Sequence, residues 1–136
     1  KGLSFSDKAK EDLRNLTNAL IEILDLTYDS FSTNDVEKAS SVEPLEQVID
    51  RLVAEVKTSH ISRLQTGECT IEMGFVLSDL LNNYERVSDH CSNIAVTMIE
   101  VEQGSYDTHS YLNSVKDMSD EGFNNEYRKY KNKYLS

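Results

Sequence analysis

Across residues 8 to 31, apolar or small side chains fall at Ala9, Leu13, Leu16, Leu20, Ile23, Thr27 and Phe31, in steps of four and three. That rhythm follows the 3.6-residue turn of an α-helix and puts all seven on one stripe, a face that must be buried. Similar stripes recur down the chain. Only one proline and five glycines interrupt 136 residues, so long helices are the expected elements and no stretch alternates with the period of a strand.

The breakers divide the chain into four helices, at about 6–31, 35–66, 70–102 and 107–134, within one domain covering 1–136. Ser6 can cap the first. Ser32-Thr33-Asn34-Asp35 then supplies capping residues, and the second helix turns Leu45, Ile49, Leu52, Val56 and Leu64 inward. Pro44 cannot donate to the helical ladder, which predicts a kink or a fresh start after Ser40-Ser41. Thr66-Gly67-Glu68-Cys69-Thr70 reads as a glycine stop followed by a threonine cap, a tight helical hairpin. The third helix buries Leu77, Leu81, Tyr84, Ser88, Cys91, Ala95 and Met98. Gln103-Gly104-Ser105 ends it, and Asp107-Thr108 can start a fourth helix that faces inward through Tyr111, Val115, Met118 and Gly122, then Phe123, Tyr127, Tyr130 and Tyr134. Short connections between long helices imply an all-α, antiparallel up-down bundle.

Charge narrows the function classes. With 24 acidic against 14 basic side chains, the net charge is -10, a field that repels nucleic-acid phosphates and anionic headgroups. Nucleic acid is therefore not an expected partner. No apolar run reaches the roughly 20 residues needed to span a bilayer. The opening Lys1-Gly2-Leu3 has neither a methionine nor a signal-peptide core, as expected of a soluble piece of a longer protein. Cys69 and Cys91, if on one helix, lie roughly 33 Å apart, too far for a disulfide.

Two carboxylate pairs share the spacing of one helical turn, Glu46/Asp50 in the second helix and Glu85/Asp89 in the third. The first pair centres about 19 residues before Gly67 and the second about 20 after it, so antiparallel helices bring both to one level. Both pairs flank their buried stripes. Four carboxylates at one level repel unless protonated, spread into solvent or bridged by a cation, and oxygen ligands suit iron, manganese, magnesium or calcium. The plainer alternative is that the acids pair with Arg51, Arg86 or Lys57 on solvated faces.

Other chemistry finds no anchor. His60, His90 and His109 are scattered and the cysteines lack ligand spacing, so a nitrogen- and sulfur-ligated zinc site is disfavoured. His60 falls on an apolar face as a packing residue, and His90 points to solvent. No Glu is followed three residues later by His, which excludes the ferritin-like di-iron pattern. Nucleophile elbows, Walker loops and Rossmann fingerprints are absent too, so no catalytic residue is assigned. Tyr127, Tyr130 and Tyr134, set among Arg128, Lys129, Lys131 and Lys133, form a basic aromatic face expected to pack along the bundle with lysines at the helix C-terminus. A second reading has that basic end docking on a membrane partner.

Two stretches carry a family resemblance. Tyr84-Glu85-Arg86-Val87-Ser88-Asp89-His90-Cys91-Ser92-Asn93-Ile94-Ala95, preceded by Arg63-Leu64-Gln65-Thr66-Gly67-Glu68-Cys69-Thr70, resembles the PhoU family, and Leu45-Glu46-Gln47-Val48-Ile49-Asp50-Arg51-Leu52 looks like that family's second-helix motif. The likeness covers residues 5 to 102. It implies a three-helix unit and, because several such proteins bind iron or zinc clusters through these acidic motifs, a metal site at Glu46, Asp50, Glu85 and Asp89 for iron, zinc or another divalent or trivalent ion. Stand-alone PhoU proteins resemble two units in tandem, whereas this chain has one unit and an extra tyrosine-rich helix. A single unit looks like the C-terminal domain of bacterial sodium-dependent phosphate cotransporters.

The resemblance therefore implies a non-enzymatic regulatory or assembly domain on the cytoplasmic face of the bacterial inner membrane. Its partner would be the membrane transporter domain of the same chain, with a homodimer as a further expectation and no direct small-molecule substrate. The alternatives are a stand-alone PhoU-type phosphate-signalling regulator and a metal-dependent enzyme using the four carboxylates. The enzyme reading lacks an accompanying acid, base or nucleophile.

Overall fold

The computed structural model describes residues 7–67, 70–103 and 120–135. Helix α1 runs Asp7–Thr33, a single turn α2 spans Val36–Ala39, and α3 (Val42–Gln65), α4 (Ile71–Gln103) and α5 (Asp120–Tyr134) follow, with no strand among the described residues. The Ser6 cap, Glu68 and Cys69 of the hairpin, and the 104–119 segment, with its expected Tyr111, Val115 and Met118 face, lie outside the described residues.

The long second helix expected at 35–66 is two helices, the second starting afresh after Ser41 as Pro44 implies. Asp35 caps α2 by accepting a hydrogen bond from the Lys38 backbone N–H at 3.1 Å, and the chain turns at Ser40 and Ser41 before α3 begins at Val42. Pro44 thus sits in the first turn of α3, where a missing N–H leaves no intrahelical bond unmade. Before α2, Asn34 takes a φ of 53°, a left-handed geometry that asparagine accepts. The hairpin after α3 turns at Gly67, whose φ is 78°, and Thr70 Oγ1 accepts from the Met73 N–H at 3.1 Å to cap α4. Gly74 sits beneath His60. A Cβ there would lie 2.7 Å from His60 Nε2, so only glycine lets the buried imidazole approach.

Helices α1, α3 and α4 form an up-down-up unit. Thr17 and Tyr84 exchange a hydroxyl hydrogen bond at 2.9 Å, and Thr27 contacts Cys91 further along, so α1 and α4 run the same way with α3 antiparallel to both. Leu16, Ile23, Leu45, Ile49, Leu77 and Leu81 are wholly withdrawn from water at the centre. Burying each such side chain contributes about 1.5–3 kcal/mol, which holds the three helices together. All seven residues expected to face inward on α4 are buried or half-buried. On α1 the expectation fails at its last member: Phe31 is 68% exposed and Ser30 takes the inward place. A further four-residue step from Thr27 overshoots the stripe, because 3.6 residues make a turn. The Ser30 hydroxyl donates to the Leu26 carbonyl at 2.6 Å and so is satisfied within the helix. On α3, Leu64 is only half-buried, while His60 and Arg63 are buried.

Helix α5 packs on α3 and α1 and not on α4. Tyr130 and Tyr134 are buried in that groove, as their spacing implies, and Arg51 donates to the Tyr127 hydroxyl at 3.1 Å. Lys133 bonds Glu22 at 2.7 Å and the Tyr134 hydroxyl donates to the same carboxylate. Among the described residues no helix is long and apolar enough to cross a membrane.

Candidate functional site

The antiparallel pairing of α3 with α4 decides which carboxylates meet. Glu46 and Asp50, one turn apart, project from α3 toward α4. Asp89 projects from α4 at the same level, and carboxylate oxygens of all three lie within 4.8 Å of one another. Three of the four expected acids are thereby assembled, but Glu85 is diverted. Its Oε1 accepts from Lys57 Nζ at 3.1 Å, about two α3 turns beyond Asp50. Lys57 was one of three cations expected to compete for these acids. Arg51 instead bonds Tyr127, so it leaves the α3/α4 seam to the carboxylates.

The three acids differ in environment. Glu46 is buried, at 8% exposure, whereas Asp50 and Asp89 open to solvent. One oxygen of Glu46, Oε2, is enclosed with no hydrogen-bond partner among the described residues. Burial, then a hydrogen bond to Asp50, then the charges of Asp50, Glu43 and Asp89 push the Glu46 carboxyl up to about 8. Burial likewise raises Asp50, helped by the charges of Asp89, Glu85 and Glu43 and opposed by the Glu46 hydrogen bond. At neutral pH the protein alone meets this crowding by keeping a proton on Glu46 and sharing it with Asp50.

Glu43 is the residue that sequence reasoning passed over. It stands three positions before Glu46, on the same side of α3, and its carboxylate accepts a hydrogen bond from Ser92 of α4. The signal was the i, i+3 spacing of two acids. Glu43 adds negative charge beside Glu46 and is anchored by Ser92, so it shapes the field without joining the three convergent oxygens.

An unpartnered buried oxygen among three acids fits a cation better than it fits a closed protein interior. The donor set is all carboxylate. That favours hard, oxygen-seeking ions such as magnesium, calcium, manganese or iron, and lacks the imidazole and thiolate that structural zinc prefers. Of the histidines expected to stand apart, His60 is buried against Gly74 and His90 is exposed.

A model of the PhoU domain matches residues 13–98, which carry α1 from Leu13 through the α4 residue Met98 and hold all of the acids above. The chain belongs to the PhoU domain family. The phosphate-specific transport system accessory protein PhoU homolog 1 of Thermotoga maritima is 22% identical over 94 residues, which make up 69% of this chain and 40% of that protein. The chain thus spans about two fifths of the length of that curated relative. No solved structure matches it. The PhoU match stops short of α5, so the basic aromatic helix is an addition to the matched unit.

Proposed function

We propose that this PhoU domain is a regulatory, non-catalytic module of phosphate transport whose packing responds to a cation held by Glu46, Asp50 and Asp89, with Glu85 available as a fourth ligand once released from Lys57. The observation that carries the reading is the enclosed, unpartnered Oε2 of Glu46 at the point where α3 and α4 bring three carboxylates together. A bound cation would supply positive charge that lets an acidic face attract an oxyanion such as phosphate. Glu46 and Asp50 belong to α3 and Asp89 to α4, so occupancy would tie the two helices and vacancy would leave their acids repelling across the seam. Family membership supports the phosphate-transport setting and a regulatory role.

The finer reading places the module on the cytoplasmic side of a sodium-dependent phosphate cotransporter, in the same chain as its membrane domain. Helix α5, packed beside the three-helix unit and outside the family match, supports it. A second reading, an accessory regulator made apart from the transporter, is favoured by the accessory role in the Thermotoga relative's name. Immunodetection in cells that make the protein separates them: a larger band in carbonate-washed membranes fits the first, and a band confined to the soluble fraction fits the second.

Plasma mass spectrometry on protein purified without an affinity metal tests the cation. Stoichiometric iron, manganese or another metal should be present in the wild type and lost in Glu46→Ala/Asp89→Ala with helicity retained. Metal-free wild type that also takes up none of these ions on titration refutes the proposal.

A further inference from the structure

Helix α1 carries a second apolar stripe that the bundle does not use. Ile21, Leu24, Tyr28 and Phe31 follow steps of three, four and three, and are 51%, 45%, 70% and 68% exposed. The stripe runs for about 15 Å, roughly three turns. Alongside it stands α4, set parallel by the Thr17 to Tyr84 and Thr27 to Cys91 contacts, and Ile94 of α4 is exposed at the height of Phe31. Among the described residues the seam between the two helices, with α2 packed on both, thus presents a groove whose α1 wall is apolar and exposed. On its other side α1 borders a second groove, shared with α3, and α5 occupies that one.

Charge identifies what fits the open groove. Asp25 and Asp29 stand exposed along its α1 edge, and no ion pair among the described residues reaches either. After Arg14, α1 has no basic residue at all. A second copy of the chain would bring the same acidic edge and a further charge of -10, and an anionic lipid surface would be repelled in the same way. A basic helix meets both demands, apolar face to stripe and cationic flank to Asp25 and Asp29. Helix α5 shows this chemistry at work within the molecule, where its tyrosines fill the neighbouring groove and Lys133 seats on Glu22.

We propose that the groove between α1 and α4, walled by Ile21, Leu24, Tyr28, Phe31 and Ile94 and edged by Asp25 and Asp29, docks a lysine- or arginine-rich amphipathic helix of a partner protein. This surface is separate from the carboxylate site at the α3/α4 seam, and the inference stands whether or not that site holds a cation.

The test uses the 136-residue chain and a fluorescent leucine/lysine peptide of about 18 residues with one apolar helical face, read by anisotropy. Its controls are a scrambled peptide of the same composition and a leucine/glutamate version. The amphipathic basic peptide should bind about tenfold or more tightly than the scrambled one, and Tyr28→Ser/Phe31→Ser should remove that advantage while leaving thermal unfolding unchanged. Asp25→Asn/Asp29→Asn should weaken binding a few-fold and flatten its salt dependence. Equal binding of the scrambled peptide, or affinity unchanged in Tyr28→Ser/Phe31→Ser, overturns the proposal. So does a dimer in sedimentation equilibrium that Phe31→Ser dissolves, which would assign the groove to a second copy. Retention on phosphatidylglycerol vesicles through Phe31 would assign it to membrane and count against the proposal equally.

Discussion

Glu22 and Glu46 are both drawn out of water, and they end in opposite states. At Glu22, burial alone would raise the carboxyl, yet hydrogen bonds from Lys133 and Tyr134 and the charges of Lys133 and Lys129 hold it below its ordinary value. At Glu46, burial acts in the same direction and every neighbour adds to it: Asp50, Glu43 and Asp89 are all acids. The first carboxylate is complete within the protein and fastens α5 to α1. The second is incomplete: its hydrogen bond goes to another acid, Asp50, and its Oε2 has no partner among the described residues. A finished ion pair marks structure, whereas an unfinished acid marks a place where something from outside is expected.

The largest effect that would sharpen this contrast lies on the finished side. Tyr134→Ala removes a buried ring from the groove between α1 and α3 and should cost about 3 kcal/mol, releasing α5 to limited proteolysis. A loss under about 1 kcal/mol in urea unfolding would mean that α5 docks without its aromatic anchor.

On the unfinished side, a ligating cation at about 100 times its Kd should stabilise the wild type by about 2.7 kcal/mol, while Glu46→Gln/Asp50→Asn should show no such gain. Equal stabilisation of both proteins in thermal melts would place the cation elsewhere.

The two acids should also tilt stability against pH in opposite directions. Glu46 holds its proton up to about 8 when folded and gives it up near its ordinary value of 4.5 when unfolded, so metal-free protein should lose stability as pH rises through that window. Glu46→Gln should flatten the loss. Glu22, held below 4.5, contributes stability present above that value and lost as pH falls through its folded value. Urea midpoints measured from pH 3 to 9 would break the comparison if Glu46→Gln and Glu22→Gln changed the curve on the same side.

The smallest effect belongs to the Glu22 to Lys133 pair itself. Its side chains are 27% and 55% exposed, so Lys133→Met should cost only about 0.2–1 kcal/mol, less in high salt. A larger loss would show that Lys133 also serves the buried tyrosines.

Much of the bundle was legible because helical burial repeats. The α4 stripe from Leu77 to Met98 could be counted off in steps of three and four, and the Gly67 turn set the register that brings Glu46, Asp50 and Asp89 to one level. Reading failed where the count along a helix slipped. Phe31 stands a further four residues past Thr27, off the stripe that Ser30 continues, and is left in solvent, whereas the break within 35–66 falls after Ser41, where Pro44 implied it. At the site, Glu85 and Asp89 share one spacing and one face in the sequence. Only the position of Lys57 across the α3/α4 seam separates their fates.

By itself the sequence determined the helices, the hairpin register and the convergence of acids, since these follow from turn geometry and from spacing along one chain. Tertiary structure decided that Glu46 is the enclosed acid, that Glu85 is neutralised by Lys57, and that one flank of α1 is filled by α5 while the apolar side chains of the other are exposed among the described residues. The reason is physical: burial and charge compensation depend on which side chains arrive from other helices, and no periodicity within a single helix encodes that arrival.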